Sequence, residues 1–181
     1  MREKEVRILE IDINTWVKML EDMGAVEVGN WLQKRYVYDF QPKVSNKWIR
    51  LRTNGIESTL AIKEVVDSTK VDGTKELEIA VSDFDKTNAI LKELGYTPRA
   101  LQENKRIRYV YQNIEIDIDT WPFLPTYVEI EGPSVEAVEN FLSLVHYDEA
   151  KLTTLDVDAI YRSIYHINPD EVELKFSEDV S

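Results

Sequence analysis

The sequence predicts an α+β fold, a closed antiparallel β barrel with a charged interior and helices packed outside it. Three observations carry that expectation. Stretches of strict polar–apolar alternation recur along most of the chain, and a period of two marks a strand with two unlike faces. Helical patterns are fewer and amphipathic. The polar strand faces carry charge in pairs of one sign, where a solvated face would mix Thr, Ser and Lys.

Eight segments alternate in this way: Arg2–Glu10, Val26–Phe40, Lys47–Thr53, Ser58–Val66, Thr74–Val81, Arg99–Gln112, Ile114–Thr120 and Thr126–Glu131. Asn54-Gly55 between two of them is a hairpin signal, because both residues tolerate positive φ. Asp72-Gly73 ends a second connection and Gln112-Asn113 reads as a third tight turn. A helix over Ile13–Met23 places Trp16, Met19, Leu20 and Met23 on one stripe, with Gly24 as its cap. Ser82 or Asp83 caps a second helix that runs to Leu94 and closes at Gly95. Ser134–Val145 and about Asp156–His166 complete the helices.

The chain also echoes itself. Lys34-Arg35 and Lys105-Arg106 lie 71 positions apart, as do Gly24 and Gly95, and each pair follows an acidic strand and a helix. Glu129-x-Glu131 opens a third, shorter copy. No linker separates the copies, so one sheet is expected to hold them all. Residues 1–167 read as a single domain, and 168–181, acidic and containing Pro169, as a C-terminal tail.

Composition narrows the chemistry. A chain of 181 residues can bury a real core, and 43% hydrophobic with 31% charged residues suits a globular protein. No apolar run approaches the roughly 18 residues of a membrane span. The charged start Met1-Arg2-Glu3-Lys4-Glu5 does not read as a signal peptide, so a cytoplasmic location is expected. Without cysteine, and with only His146 and His166, any metal must be held by carboxylates. That favours hard cations such as Mg2+ or Mn2+. The net charge of −12 argues against general nucleic-acid or membrane binding, though one concentrated basic site remains compatible with it.

Residues two apart on a strand share a face. Glu3, Glu5 and Arg7 therefore point together, and so do Arg50 with Arg52, Glu76 with Glu78, Arg106 with Arg108, Asp117 with Asp119, and Glu129 with Glu131. Charged strand faces are most often simply solvated. Segregated signs recurring along one chain instead suit a closed barrel in which acidic strands face basic ones. Such a cavity suits a metal-bound polyphosphate. Arginine and lysine bind phosphate oxygens, and clustered carboxylates stay ionised together only around a cation.

Those same residues resemble the CYTH superfamily, or triphosphate tunnel metalloenzymes, which includes class IV adenylate cyclases, thiamine triphosphatases and inorganic triphosphatases. The matching motifs run from Glu3-Lys4-Glu5-Val6-Arg7 through Trp48-Ile49-Arg50-Leu51-Arg52, Lys63, Glu76-Leu77-Glu78 and Lys105-Arg106. They continue with Ile116-Asp117-Ile118-Asp119 and Tyr127-Val128-Glu129-Ile130-Glu131, so that the resemblance spans about Glu3 to Tyr165. No single motif is specific; their order and spacing are.

The resemblance implies an eight-stranded tunnel in which Glu3, Glu5, Asp117, Glu129 and Glu131 bind metal. Arg50, Arg52, Lys63 and Arg106 would hold a triphosphate, with Arg108 beside Arg106 and Lys151 resembling a C-terminal lysine that reaches the phosphates in some members. Glu76 and Glu78 would orient the arginines, and Glu3, Glu5 and Arg7 would form the catalytic signature. Two departures stand out. Arg7 replaces the usual lysine of that signature, and Arg35 and Val37 stand where members often carry an aspartate and a tyrosine. The expected activity is divalent-metal-dependent hydrolysis of inorganic triphosphate or a similar organic triphosphate. The alternatives are a class IV adenylate cyclase, converting ATP to cyclic AMP and pyrophosphate, and a catalytically silent module that binds polyphosphate or nucleotide. The expected partner is a small-molecule triphosphate, with a homodimer left open.

Overall fold

The computed structural model describes residues 2–177. Nine strands form one antiparallel sheet: β1 (Glu5–Ile8), β2 (Val26–Asp39), β3 (Lys47–Thr53), β4 (Ser58–Val65), β5 (Thr74–Val81), β6 (Pro98–Tyr111), β7 (Ile114–Thr120), β8 (Tyr127–Glu131) and β9 (Leu152–Thr153). Their order across the sheet is β5-β4-β3-β2-β6-β7-β8-β1-β9. The sheet curls strongly but does not close, which corrects the expected eight-stranded closed barrel. The reason lies at β1. Lys151 and β9 take its free edge, through the Leu9 N–H to the Lys151 carbonyl and pairing at Arg7 and Ile8. The far strand β5 reaches only the start of the chain, through one bridge between Arg2 and Lys75 and the Glu3 N–H bonded to the Thr74 carbonyl. The two-residue β9 is too short for alternation to reveal.

The internal echo is real in three dimensions. Helices α1 (Ile13–Asp22) and α2 (Phe84–Glu93) have the same length and the same caps. Asp12 and Asp83 each accept the backbone N–H three residues on, at 2.8 Å, satisfying one of the donors that a helix start leaves free. Gly24 and Gly95 follow the C-caps at φ 81° and 91°. The N–H of the next residue, Ala25 or Tyr96, returns to the Leu20 or Leu91 carbonyl. This is a Schellman ending, in which the left-handed residue favours glycine. The long β2 and β6, 14 residues each, pair at the centre, and each is flanked by two strands of its own copy. In the Asn54-Gly55 turn only Gly55 takes positive φ. Asn54 instead accepts the N–H groups of Ile56 and Glu57 through its side chain.

The apolar faces point outward and helices cover most of them, while Leu77 and Ile79 on β5 stay exposed. Helices α1 and α3 (Val135–Leu142) enclose Val6, Ile8, Ile116, Ile118, Val128 and Ile130 in the largest core. Helix α2 covers a smaller one around Tyr38, Ile49 and Leu51. The last helical segment is shorter than expected, a single α turn (Val157–Ala159) running into a π turn (Ile160–Ile164). It packs with Leu9, Trp121, Leu124 and Tyr127. Within the acidic stretch beyond it, Leu174 is buried in this cluster, and its carbonyl accepts the Glu103 N–H at 2.7 Å. Residues 178–181 lie outside the described residues. No helix among the described residues is long and apolar enough to cross a membrane.

Candidate functional site

With apolar side chains outside, strand parity leaves the charged ones inside. They line one cavity of about 950 Å3. Arg50 and Arg52 enter it from β3, Lys63 from β4, Glu76 and Glu78 from β5, Arg106 and Arg108 from β6. Glu129 and Glu131 enter from β8, and Glu5 and Arg7 from β1, with Glu3 just ahead of it. Asp117 and Asp119 on β7 are buried in the wall behind the arginines. Lys151 is not among the lining residues; it pairs with Glu10 on the surface.

One side of the cavity is a dense ion network. Arg106 meets Asp117 and Asp119 at 2.5 Å each and Glu129 at 3.3 Å. Arg108 adds Asp117 at 2.6 Å and Glu115 at 2.7 Å. Arg7 bridges Glu5 at 2.9 Å and Glu129 at 2.5 Å, and donates to the Leu155 carbonyl. Burial alone would favour a neutral Glu129, but Arg7 and Arg106 outweigh it and hold its carboxyl well below the usual range. Burial likewise works against the charge on Arg106, and its aspartates more than offset that.

At one end of this network carboxylates crowd without enough cations. Glu5, Glu131 and Glu115 stand directly opposite one another across β1, β8 and β7, an arrangement that like charges make unfavourable. Burial and then Glu5 push the Glu131 carboxyl up to about 7. Burial is also the main reason Glu3 is pushed up to about 9, against the pull of Lys63 at 2.9 Å. Among the described residues, no three carboxylates or histidines converge as they stand on a point that could hold an ion. The donor set itself is oxygen-only and anionic, and a buried Glu3 oxygen lacks a hydrogen-bond partner. That chemistry fits a hard divalent cation. Of the expected ligands, Glu3, Glu5 and Glu131 lie at the crowded end with only Lys63 and Arg7 close by, whereas Asp117 and Glu129 are each engaged by two arginines.

The opposite wall has the reverse imbalance. Arg50 meets Glu76 at 2.8 Å and Glu78 at 2.9 Å, as an orienting role for both glutamates requires. Arg52 reaches Glu78 only at 3.7 Å. Arg35, a departure in the family pattern, lines the same wall and is 7% exposed. Its guanidinium lies 4.4 Å over the Trp121 ring, and Nη2 donates to Asn104 Oδ1 at 2.7 Å. Sequence reasoning gave neither Arg35 nor Trp121 a place in the site. The signal was available: Arg35 occupies the position of Arg106 in the repeat, and Trp121 lies two residues beyond Asp119 on the same face.

Among curated protein sequences none matches the chain. Solved structures match its fold across nearly its full length. The PH1012 protein of Pyrococcus horikoshii aligns with TM-score 0.74 and 20% identity, over 92% of this chain and 99% of that one. An adenylate cyclase candidate from Vibrio parahaemolyticus gives 0.75 and 13%, over 90% and 99%. An adenylyl cyclase candidate from Hippeastrum, described as having a dominant triphosphatase activity, gives 0.60 and 16%, over 94% and 99%. At these identities the likeness speaks for the curled sheet and its helices. The CYTH domain profile matches residues 1–164, a span that holds every strand and every charged group lining the cavity wall described above; the chain belongs to the CYTH domain family.

Proposed function

We propose that this protein hydrolyses inorganic triphosphate, or a similar organic triphosphate, with a divalent cation. The observation that carries the reading is the pairing of two opposite imbalances in one cavity: Glu3, Glu5 and Glu131 outnumber the cations beside them, Lys63 and Arg7, while Arg35 and Arg52 are short of anions. A metal-bound polyphosphate supplies both.

Arg50, Arg52 and Lys63 bind and align the phosphate chain from β3 and β4. Phosphoryl transfer depends mainly on positioning and on charge fixed in advance, and Arg50, held by Glu76 and Glu78, provides both. Arg7 stays charged beside Glu5 and Glu129, so it offsets their repulsion and keeps the acidic row aligned. Glu3, Glu5 and Glu131, with Glu129 beside them, would hold Mg2+ or Mn2+, which when bound neutralises phosphate charge and lowers the pKa of water.

A second reading, a class IV adenylate cyclase, has its own support. The cavity exceeds what a linear triphosphate fills, and Trp48, Val44 and Val65 give part of its lining an apolar surface for an organic group. The structural relatives named above carry both activities in their descriptions. A product-resolved assay with triphosphate, thiamine triphosphate and ATP, with Mg2+ and with Mn2+, separates the readings. Orthophosphate as the main product is the expected outcome. Cyclic AMP with pyrophosphate would replace it with the cyclase, and tight binding without any product would mark a silent binding module.

A further inference from the structure

The geometry points to Arg35 and Arg52 as a clamp for one tetrahedral oxyanion, the end group of a bound polyphosphate; this rests on the triphosphate reading and assigns a residue outside the family pattern. The two are register partners, directly opposite on β2 and β3, and both line the cavity. Like charges in that position repel. Surfaces relieve such repulsion with water, but Arg35 is almost fully buried.

Counterions are scarce at this point. Arg52 has one carboxylate at 3.7 Å, Glu78, which is already bonded to Arg50. Among the described residues Arg35 forms no ion pair within 4 Å, and its Nε has no hydrogen-bond partner. Its remaining polar contacts are to neutral amides, Asn104 at 2.7 Å and Gln33 at 3.5 Å. A buried guanidinium left this way is costly unless an anion joins it. Accordingly, burial and then Arg50 push Arg35 down to about 9, and Arg50 and then burial push Arg52 down to about 10.

The wall is built to hold that charge in place. Trp121 supports one face of the Arg35 guanidinium, and Asn104 is itself fixed by donating to Asp119 Oδ1 at 3.0 Å. Nη2 is engaged by the Asn104 and Gln33 amides and Nε is enclosed by protein, so Nη1, which carries no hydrogen bond among the described residues, lies on the free donor edge. A terminal phosphate carries more negative charge than a carboxylate and spreads it over three oxygens, so it can face both guanidiniums at once. Two opposed arginines short of counterions thus favour a phosphate end group.

Calorimetry with sodium tripolyphosphate and no added metal tests this, alongside thermal melts of the free proteins. Arg35→Gln is expected to weaken tripolyphosphate binding by about tenfold or more, the scale of one lost charge-assisted contact. The same variant, without ligand, is expected to melt at or above the parent temperature, because an uncompensated buried charge has gone. A purely structural arginine would lower the melting point instead. Should Arg35→Gln fail to fold, the idea of an uncompensated charge is overturned. Arg35→Lys then decides the fork: several-fold weaker binding supports it, and unchanged binding rejects it. Parent protein that binds while Arg35→Gln binds within twofold rejects the clamp alone. Parent protein that binds no polyphosphate rejects the triphosphate reading and the clamp together.

Discussion

The two halves of the sheet meet at β2 and β6 and share their strand pattern, yet they treat arginine in opposite ways. In the half built from β6, β7, β8 and β1, arginines are saturated: Arg106 alone contacts three carboxylates. In the half built from β2 to β5, the aspartates of β7 are replaced by Arg50 and Arg52, and only Glu76 and Glu78 oppose them. The same backbone thus carries a wall whose arginines are fully paired and a wall where Arg35 and Arg52 await an anion. An arginine's job in this cavity is read from its counterions, not from its position in the motif.

The sharpest way to break this comparison is at Arg106. Arg106→Met removes the common partner of three buried carboxylates and should cost about 3–5 kcal/mol of stability, as does breaking other buried ion pairs from one side. Urea denaturation measures this directly. A loss below about 1 kcal/mol would mean that the network does not hold the fold.

Next in size is the pH response of the crowded row. Glu131 has its carboxyl raised from about 4.5 to about 7, so the folded state holds that proton more tightly than the unfolded chain. Its contribution is fully present below pH ~4.5 and is lost as pH rises to ~7, by up to about 3 kcal/mol. Metal-free protein should therefore lose stability across that window, and Glu131→Gln should flatten the loss. Added Mg2+ should restore the parent above pH 7 and help the variant less. A parent whose stability rises from pH 5 to 7.5 would show that the row is not strained.

Arg52→Ala tests the unsatisfied wall. Because its neighbours are arginines and its one carboxylate is distant, stability should change by less than about 0.5 kcal/mol. Tripolyphosphate binding should still fall by at least about 1.5 kcal/mol. Large loss of stability with intact binding would invert the roles assigned to the two walls.

Much of this site was legible in the sequence, because the period of two is a local property. Glu76-x-Glu78, Arg50-x-Arg52 and Glu129-x-Glu131 each declare a shared face, and the apolar residue between them marks the opposite, outward face. Closure was not legible. It depends on whether the short β1 offers its edge to β5 or to residues 151–153, a competition between segments far apart in sequence. Nor could alternation tell that Arg106 would be neutralised and Arg35 would not. Both follow a lysine at matching places in the repeat, and only the neighbouring strands separate them: aspartates on β7 beside one, arginines on β3 beside the other.

The smallest expected effect belongs to Lys151, and it bounds the comparison from outside the cavity. The family resemblance gives this lysine a reach toward the phosphates. In the folded chain it pairs with Glu10, which also accepts the Tyr165 hydroxyl at 2.9 Å, while the backbone at Lys151 holds the edge of β1. Both side chains of the pair are more than one-third exposed, so solvent and salt screen the attraction. Exposed pairs of this kind contribute roughly 0.2–1 kcal/mol. Lys151→Ala should accordingly shift stability by less than about 1 kcal/mol, and less still at high salt. Tripolyphosphate affinity should stay within about twofold, in contrast to Arg52→Ala. If Lys151→Ala instead weakens binding as much as Arg52→Ala does, the segment at 149–153 must swing inward when ligand binds. The cavity wall would then include a residue that its free form keeps on the surface.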